Sequence, residues 1–257
     1  MGHPAKPEPR FRRASYDELF DPAGLKRLGD YREYRSAWPF PHVIIDGLFQ
    51  PEALENVLSE WPTDNANLES HNDGTFVRDK IGTTWQTDFG LITKKYFSEL
   101  AGASFLLALE KLTGMWGLMG DAYMFGGGLH ATAPGGKLAI HADFNKHPRF
   151  ALDRRLNMLV YLNEGWTEEN GGHLELWDRE MQKCQVRVLP VFNRTVIFST
   201  TRTSYHGQPN PIVGPPGLRR KSMAFYYYSN GRADEGQPPA TEGEHSTLWQ
   251  QRPGDGY

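Results

Sequence analysis

From Gly114 onward the chain breaks into short apolar or alternating runs: KLAIHAD, LNMLVYLN, GHLELW, QVRVL, TVIFST and KSMAFYYYS. Glycine, proline and asparagine separate them at irregular intervals, which is how strands of a β-sandwich or barrel with functional loops read in sequence. The tail after Asn230, which contains GRADEGQPPATEGEHS, has the texture of a loop or covering extension. The chain shows no internal repeat and no sustained low-complexity tract.

Upstream of Gly114 the pattern differs. Val43 to Ile45 reads as a short strand ahead of the Asp46-Gly47 turn, and Pro51 opens a run in which Leu54, Val57, Leu58 and Trp61 recur at helical spacing until Pro62 stops it. Asn65 to Thr87 is polar and glycine-containing and predicts an irregular loop region, lying over a cleft or merely connecting elements. Leu91 to Leu112 predicts one helix or two, with Leu106, Leu109 and Leu112 in the core and Gly114 as the stop. The expected organisation is one domain over residues 1–257. It comprises an irregular N-terminal arm at 1–37, a strand with supporting helices at 38–113, a β core at 114–230 and a covering extension at 231–257.

Composition narrows the function. Twenty-eight Lys plus Arg against 31 Asp plus Glu give a formal charge of -3, which supplies no broad phosphate-neutralising surface, so a nucleic-acid partner is not expected. A lone cysteine, Cys184, excludes an intrachain disulfide and a four-cysteine zinc site. No stretch approaches the roughly twenty apolar residues needed to span a bilayer, and the first twenty residues lack the apolar run of a signal peptide. A soluble cytoplasmic protein without membrane association is the expectation. A homodimer stays open, with no heptad to support it.

Chemistry concentrates in three places. His141 and Asp143 stand in LAIHADFN just after a strand-like run, and i,i+2 spacing puts imidazole and carboxylate on the same side of an extended segment. His206, in TSYHGQP after the strand TVIFST, can return to them across a folded sheet. Two imidazoles and one carboxylate form the facial set suited to non-haem Fe(II), leaving adjacent positions for a chelating co-substrate and O2. Downstream, GLRRKSMAFYYYS places Arg219, Arg220, Lys221 and Ser222 before the last apolar strand. A guanidinium there, assisted by a hydroxyl, suits the far carboxylate of a dicarboxylate such as 2-oxoglutarate. Strand alternation puts Arg220 and Ser222 on one face and Lys221 on the other.

These motifs, together with the entry YMFGGGLHATAPGGKLAIHADFN, the RRLNMLVYLNEGW strand-turn and the GGHLELWD turn, resemble the iron(II)- and 2-oxoglutarate-dependent dioxygenases. The similarity is strongest to the prolyl 4-hydroxylase-like branch and covers about Tyr123 to Asn230. The resemblance implies a mainly β fold with flanking helices, a double-stranded β-helix or distorted jelly roll. It implies iron held by His141, Asp143 and His206, with 2-oxoglutarate and O2 as co-substrates. Arg220, with Ser222, matches the residue for the C5 carboxylate, fourteen residues after His206 because PNPIVGPPG is inserted between them. Tyr123 resembles the pocket tyrosine that helps hold the co-substrate.

The reaction implied is hydroxylation of an unactivated C–H bond with release of succinate and CO2. The substrate would be a small molecule, a free amino acid or an aminoacyl residue of a peptide, reached through a closed pocket or an open groove respectively. Candidate substrate contacts are His130, Asn145, Asn157 and Tyr161. Asn145, Lys146, His147 and Arg149 are placed to rim the mouth, while Gly171 and Gly172 read as turn formers and His173 as part of a strand. Two rival classes are a noncatalytic jelly-roll binding module and a cupin-like metalloenzyme that does not use 2-oxoglutarate.

Overall fold

The computed structural model describes residues 16–62, 68–84, 87–232 and 244–254. Strand β5 (Gly128–Ala142) is the spine of the sheet. Its first half pairs with β11 (Arg220–Ser229) on one side and β3 (Val77–Thr83) on the other. Its second half pairs with β10 (His206–Gln208), His206 standing opposite His141. Between the halves the ladder with β3 loses its regular register, and Gly135 adopts the left-handed conformation (φ 85°) that lets the strand turn from one pairing to the other.

The remaining strands extend the sheet in both directions. Beyond β11 come β6 (Asp153–Tyr161), β9 (Arg194–Ser199) and β1 (His42–Asp46); beyond β10 come β7 (Leu174–Trp177) and β8 (Cys184–Val188). Neighbours run antiparallel throughout. Short β4 (Met119–Gly120) adds to β11, β2 (Leu68–His71) to β3, and β12 (Leu248–Trp249) to β5 beside His141 and Ala142. The curled antiparallel sheet is a double-stranded β-helix.

Alternation along the strands separates core from site. On β6, Leu156, Met158 and Val160 join a cluster with Met223, Phe225 and Tyr227 of β11. Against that face pack α4 (Pro51–Ser59), α5 (Leu91–Leu100) and α6 (Ala103–Thr113) through Leu54, Val57, Phe97, Phe105, Leu109 and Leu112. Gly114 ends α6 in the left-handed conformation (φ 73°), its N–H bonded to the Glu110 carbonyl. The intervening residues of β6 and β11, among them Asn157, Leu159, Ser222 and Tyr226, face the inside of the roll. There a second apolar cluster of Tyr161, Leu174, Leu176, Val188, Val196 and Phe198 closes one end.

Two segments depart from the sequence expectation. Residues 16–36 are not irregular: they form α1 (Tyr16–Leu19), α2 (Pro22–Arg27) and α3 (Tyr31–Ser36). Asp21 caps α2 by accepting from Ala23 and Gly24 N–H, each at 2.9 Å, and Asp30 caps α3 from Glu33 N–H at 3.0 Å. Tyr34 is buried and its hydroxyl meets Ser199 Oγ at 2.9 Å.

The 65–87 stretch, read as a loop, contains the β2–β3 hairpin. Its turn is tied by Asp73, whose Oδ1 accepts from Thr75, Phe76 and Val77 N–H at 2.9, 2.7 and 2.9 Å. The hairpin's strands carry few apolar residues because much of β2 and β3 is exposed, so the period-two signal is faint. The parts of the expected arm, loop and extension at 1–15, 63–67, 85–86, 233–243 and 255–257 lie outside the described residues. Among the described residues no helix is long and apolar enough to cross a membrane.

Phe105 anchors the helices to the sheet, its ring 5.0 Å from Phe20 and 6.4 Å from Tyr227 between centroids. Phe105→Ala is expected to lower unfolding free energy by about 3–5 kcal/mol, read by urea denaturation, through the cavity it leaves.

Candidate active site

The site begins with backbone geometry. His141 lies in β5 and His206 in β10, directly opposite each other, with ring centroids 4.5 Å apart. Each ring's Nδ1 is turned to the carbonyl two residues earlier in its own chain, His141 to Ala139 O at 2.8 Å and His206 to Ser204 O at 2.9 Å. A backbone acceptor at Nδ1 makes that nitrogen the protonated one and leaves the Nε2 lone pair facing inward. Asp143, immediately past the end of β5, receives both: His141 Nε2 is 3.7 Å from Oδ1 and His206 Nε2 is 3.4 Å from Oδ2. Ligand atoms of all three lie within 4.8 Å of one another.

Two imidazole lone pairs and a carboxylate converging without a donor among them are acceptors facing acceptors. A divalent cation fits that set, and its mixed nitrogen and oxygen character suits Fe(II). Burial, partly opposed by Asp143, pushes His206 down to about 4, which keeps the imidazole neutral and available as a ligand.

Asp143 is itself held from behind. Burial alone would raise its pKa, but the Arg154 guanidinium, then His206 and His141, outweigh burial and keep the carboxylate well below its usual range. Arg154 Nη2 is 3.3 Å from Asp143 Oδ1, and Asn157 Nδ2 donates to Oδ2 at 2.7 Å. The two supports are braced together, since Arg154 Nε and Nη2 both donate to Asn157 Oδ1 at 3.0 and 2.8 Å. Arg154 also lies 3.6 Å over the Tyr226 ring and 4.4 Å over Phe144.

At the far end of the same cavity, of about 240 Å³, lies Arg220. Its Nε donates to Gly172 O at 2.7 Å and its guanidinium lies 4.9 Å over the Tyr161 ring, which fixes the plane and leaves its terminal nitrogens without an acidic partner among the described residues. Gly172 has the left-handed conformation (φ 67°) that strains any other residue, and a Cβ there would crowd Arg220 Cδ at 3.1 Å. Arg219 and Lys221 are turned away: Arg219 donates to Leu218 O, and Lys221 lies over Trp61 on the outer face. Of the three basic residues, Arg220 alone lines the cavity, beside Ser222.

Other residues fall differently from the sequence reading. Tyr123 is 43% exposed, packs on Phe150 and lies under Arg149; it is outside the cavity, so the tyrosine that contacts the Arg220 end is Tyr161. His130 lines the cavity, buried. Asn145 instead holds the tail: its Oδ1 accepts from His245 N–H at 2.9 Å. Lys146 pairs with Asp153 at 2.8 Å, and His147 is buried 3.4 Å from Asp121, so neither rims the mouth. Asn157 touches Asp143 and acts through it. His173 Nε2 faces Glu168 at 2.8 Å, away from the triad.

The sequence reading missed several wall residues, Arg154 and Tyr226 among them. His71, Val77 and Lys80 come from the β2–β3 hairpin, and Trp249 from β12. Phe76 stacks on Trp249 at 4.8 Å, and Trp249 packs 5.1 Å from the His141 ring, so hairpin and tail meet over the triad. The Asn72-Asp73-Gly74 turn was the one available signal for the hairpin. Nothing local marked Trp249.

Two histidines and an aspartate at the mouth of a double-stranded β-helix are the donor set that suits a non-haem Fe(II) oxygenase. Residues 127–228 match the family model of the 2OG-Fe(II) oxygenase superfamily. That matched core, with its His141, Asp143 and His206 set, is similar to the 2OG-Fe(II) oxygenases, a superfamily whose members use Fe(II), 2-oxoglutarate and O2. The fold is similar to that of a Pseudomonas putida prolyl-4-hydroxylase, at 16% identity and TM-score 0.57 over 80% of this chain and 98% of that one. It is also similar to a Trichoplax adhaerens prolyl hydroxylase solved with a hypoxia inducible factor peptide, at 16% identity and TM-score 0.58 over 83% and 96%. A 2OG-Fe(II) oxygenase family oxidoreductase from Burkholderia pseudomallei aligns at 10% identity and TM-score 0.52 over 82% and 95%. No curated protein matches the sequence.

Two outcomes follow from this geometry. Asn157→Leu removes the donor on Asp143 Oδ2 and is expected to weaken Co(II) binding by about 10- to 100-fold in a spectroscopic titration. His206 and His130 are both held neutral by burial and gain protons on unfolding. The metal-free protein is therefore expected to keep its full histidine-linked stability above about pH 6.5. It should lose up to about 1.4 kcal/mol per pH unit per histidine as pH falls from there toward 4, and denaturant unfolding between pH 7 and 5 measures the slope.

Proposed function

We propose that this protein is an Fe(II)- and 2-oxoglutarate-dependent hydroxylase acting on an unactivated C–H bond of a small molecule or free amino acid. His141, Asp143 and His206 are the iron ligands, and Arg220 with Ser222 binds the C5 carboxylate of the co-substrate. The observation that carries the reading is the convergence of three ligand side chains in a cavity whose far end is an unpaired, buried guanidinium.

When bound, Fe(II), 2-oxoglutarate and O2 supply oxidative decarboxylation to succinate and CO2, with the second oxygen atom entering the substrate C–H bond as a hydroxyl. The chain's part is placement. The Ala139 and Ser204 carbonyls fix the two imidazoles, Arg154 and Asn157 keep Asp143 ionised and oriented, and Arg220 sets the depth at which the dicarboxylate sits. The Phe76–Trp249 stack, with Trp249 against His141, narrows the approach to the triad and favours a compact substrate over a polypeptide crossing an open groove. Residues 1–257 act in this reading as one oxygenase domain, the helices serving as its support.

Anaerobic titration of Fe(II) with and without 2-oxoglutarate tests the reading, because bidentate chelation of iron by a 2-oxo acid gives a visible charge-transfer band. The band is expected in the wild type, absent in His141→Ala and Asp143→Ala, and shifted to higher 2-oxoglutarate concentration in Arg220→Ala. A folded, metal-saturable protein without the band overturns the assignment in favour of a metalloenzyme that does not use 2-oxoglutarate.

A further inference from the structure

Three permanently or readily charged cations line the cavity: Arg154, Arg220 and Lys80. Asp143 is the one acidic side chain among its walls, and Arg154 is the partner it takes. Arg220 and Lys80 have no carboxylate partner among the described residues. A buried guanidinium beside a half-buried ammonium, neither with a counter-ion among the described residues, is a costly arrangement unless an anion completes it.

The sheet register brings these two together. Lys80 of β3 stands opposite Thr132 of β5, and Thr132 stands opposite Arg220 of β11, so the three form one row across adjacent strands. All three line the cavity. With strands about 4.8 Å apart, the backbones at Lys80 and Arg220 are about 10 Å apart, a span that two long side chains close upon a single carboxylate. The neighbouring row of Gly82, His130 and Ser222 adds a neutral imidazole and a hydroxyl to the same end.

The local backbone is shaped around Lys80. Asp79 has φ 51°, a left-handed conformation that is uncommon outside glycine, and the β3–β5 register breaks between Arg78 and Lys80. Arg78 and Asp79 stay exposed while Lys80 enters the cavity. Burial first, then the charge of Arg220, pushes the Lys80 ammonium down to about 8, only partly offset by Asp143. That is the condition of a cation facing another cation across an anion's place.

We propose that Lys80 and Arg220 form a two-cation clamp on the far carboxylate of 2-oxoglutarate, so that the hairpin outside the 127–228 core supplies a second co-substrate-binding residue. The inference rests on the proposed function. Dissociation constants are measured anaerobically on the Fe(II) protein from the chelate band. The two ligands are 2-oxoglutarate and 2-oxopentanoate, which keeps the chelating end and lacks the far carboxylate.

Lys80→Met is expected to weaken 2-oxoglutarate by about tenfold or more while leaving 2-oxopentanoate within about twofold, and Lys80→Arg to recover most of the loss. Because the substitution removes a half-buried cation set beside Arg220, the melting temperature of the metal-free Lys80→Met protein should not fall below that of wild type. Unchanged 2-oxoglutarate affinity in Lys80→Met overturns the clamp, and so does an equal loss for both acids. Absence of the band in the wild type defeats the underlying reading before any variant is compared.

Discussion

Closing the roll requires β10 to return to β5 with His206 opposite His141, and the rest of the site is built on that register. Side chains alternate along a strand, so a slip of one residue in β10 would turn His206 out of the cavity and leave Asp143 with one imidazole. The two rings are also locked within their own strands by the Ala139 and Ser204 carbonyls. Strand pairing decides where the ligands are, and short backbone contacts decide which nitrogen each presents.

Charge is distributed along the cavity in a way that separates two tasks. At the mouth, Arg154 and Asn157 stabilise an ionised Asp143 that would otherwise be penalised by burial. At the far end, Arg220 rests on Tyr161 and Gly172 O without a counter-charge among the described residues, which leaves that end positive. A molecule with a chelating acid at one end and a carboxylate at the other complements both. The supporting helices take no part in this chemistry; through Phe97, Phe105 and Leu109 they cover the outer face of β6 and β11 and hold the strands whose inner face carries Asn157, Arg220 and Ser222.

Much of the core was legible because the relevant periodicities were strong. Leu156, Met158 and Val160 alternate with inward residues on β6, and α4 and α6 carry apolar residues at helical spacing before Pro62 and Gly114. The HxD spacing and the Arg220–Ser222 alternation survive into the structure because each depends on one strand. What failed were features that needed a partner. Lys80 lies in a polar hairpin that pairs with β5, Arg154 is set apart only by the Tyr226 and Phe144 rings that enclose it, and Tyr123 resembled a pocket residue but packs on Phe150. The caps at Asp21 and Asp30 were present in sequence but masked by the basic, proline-broken composition around them.

The sequence by itself determined the strand-rich core, the helices that support it and the candidate residues for a metal and for an anion, because alternation and short spacing are properties of a local backbone. Only the tertiary structure decided which basic side chain faces inward with Arg220, which groups hold Asp143, and that the β2–β3 hairpin and β12 meet at Phe76 and Trp249 above His141. Those are contacts between residues more than a hundred positions apart in several cases. Register and burial, which no local pattern encodes, bring them together.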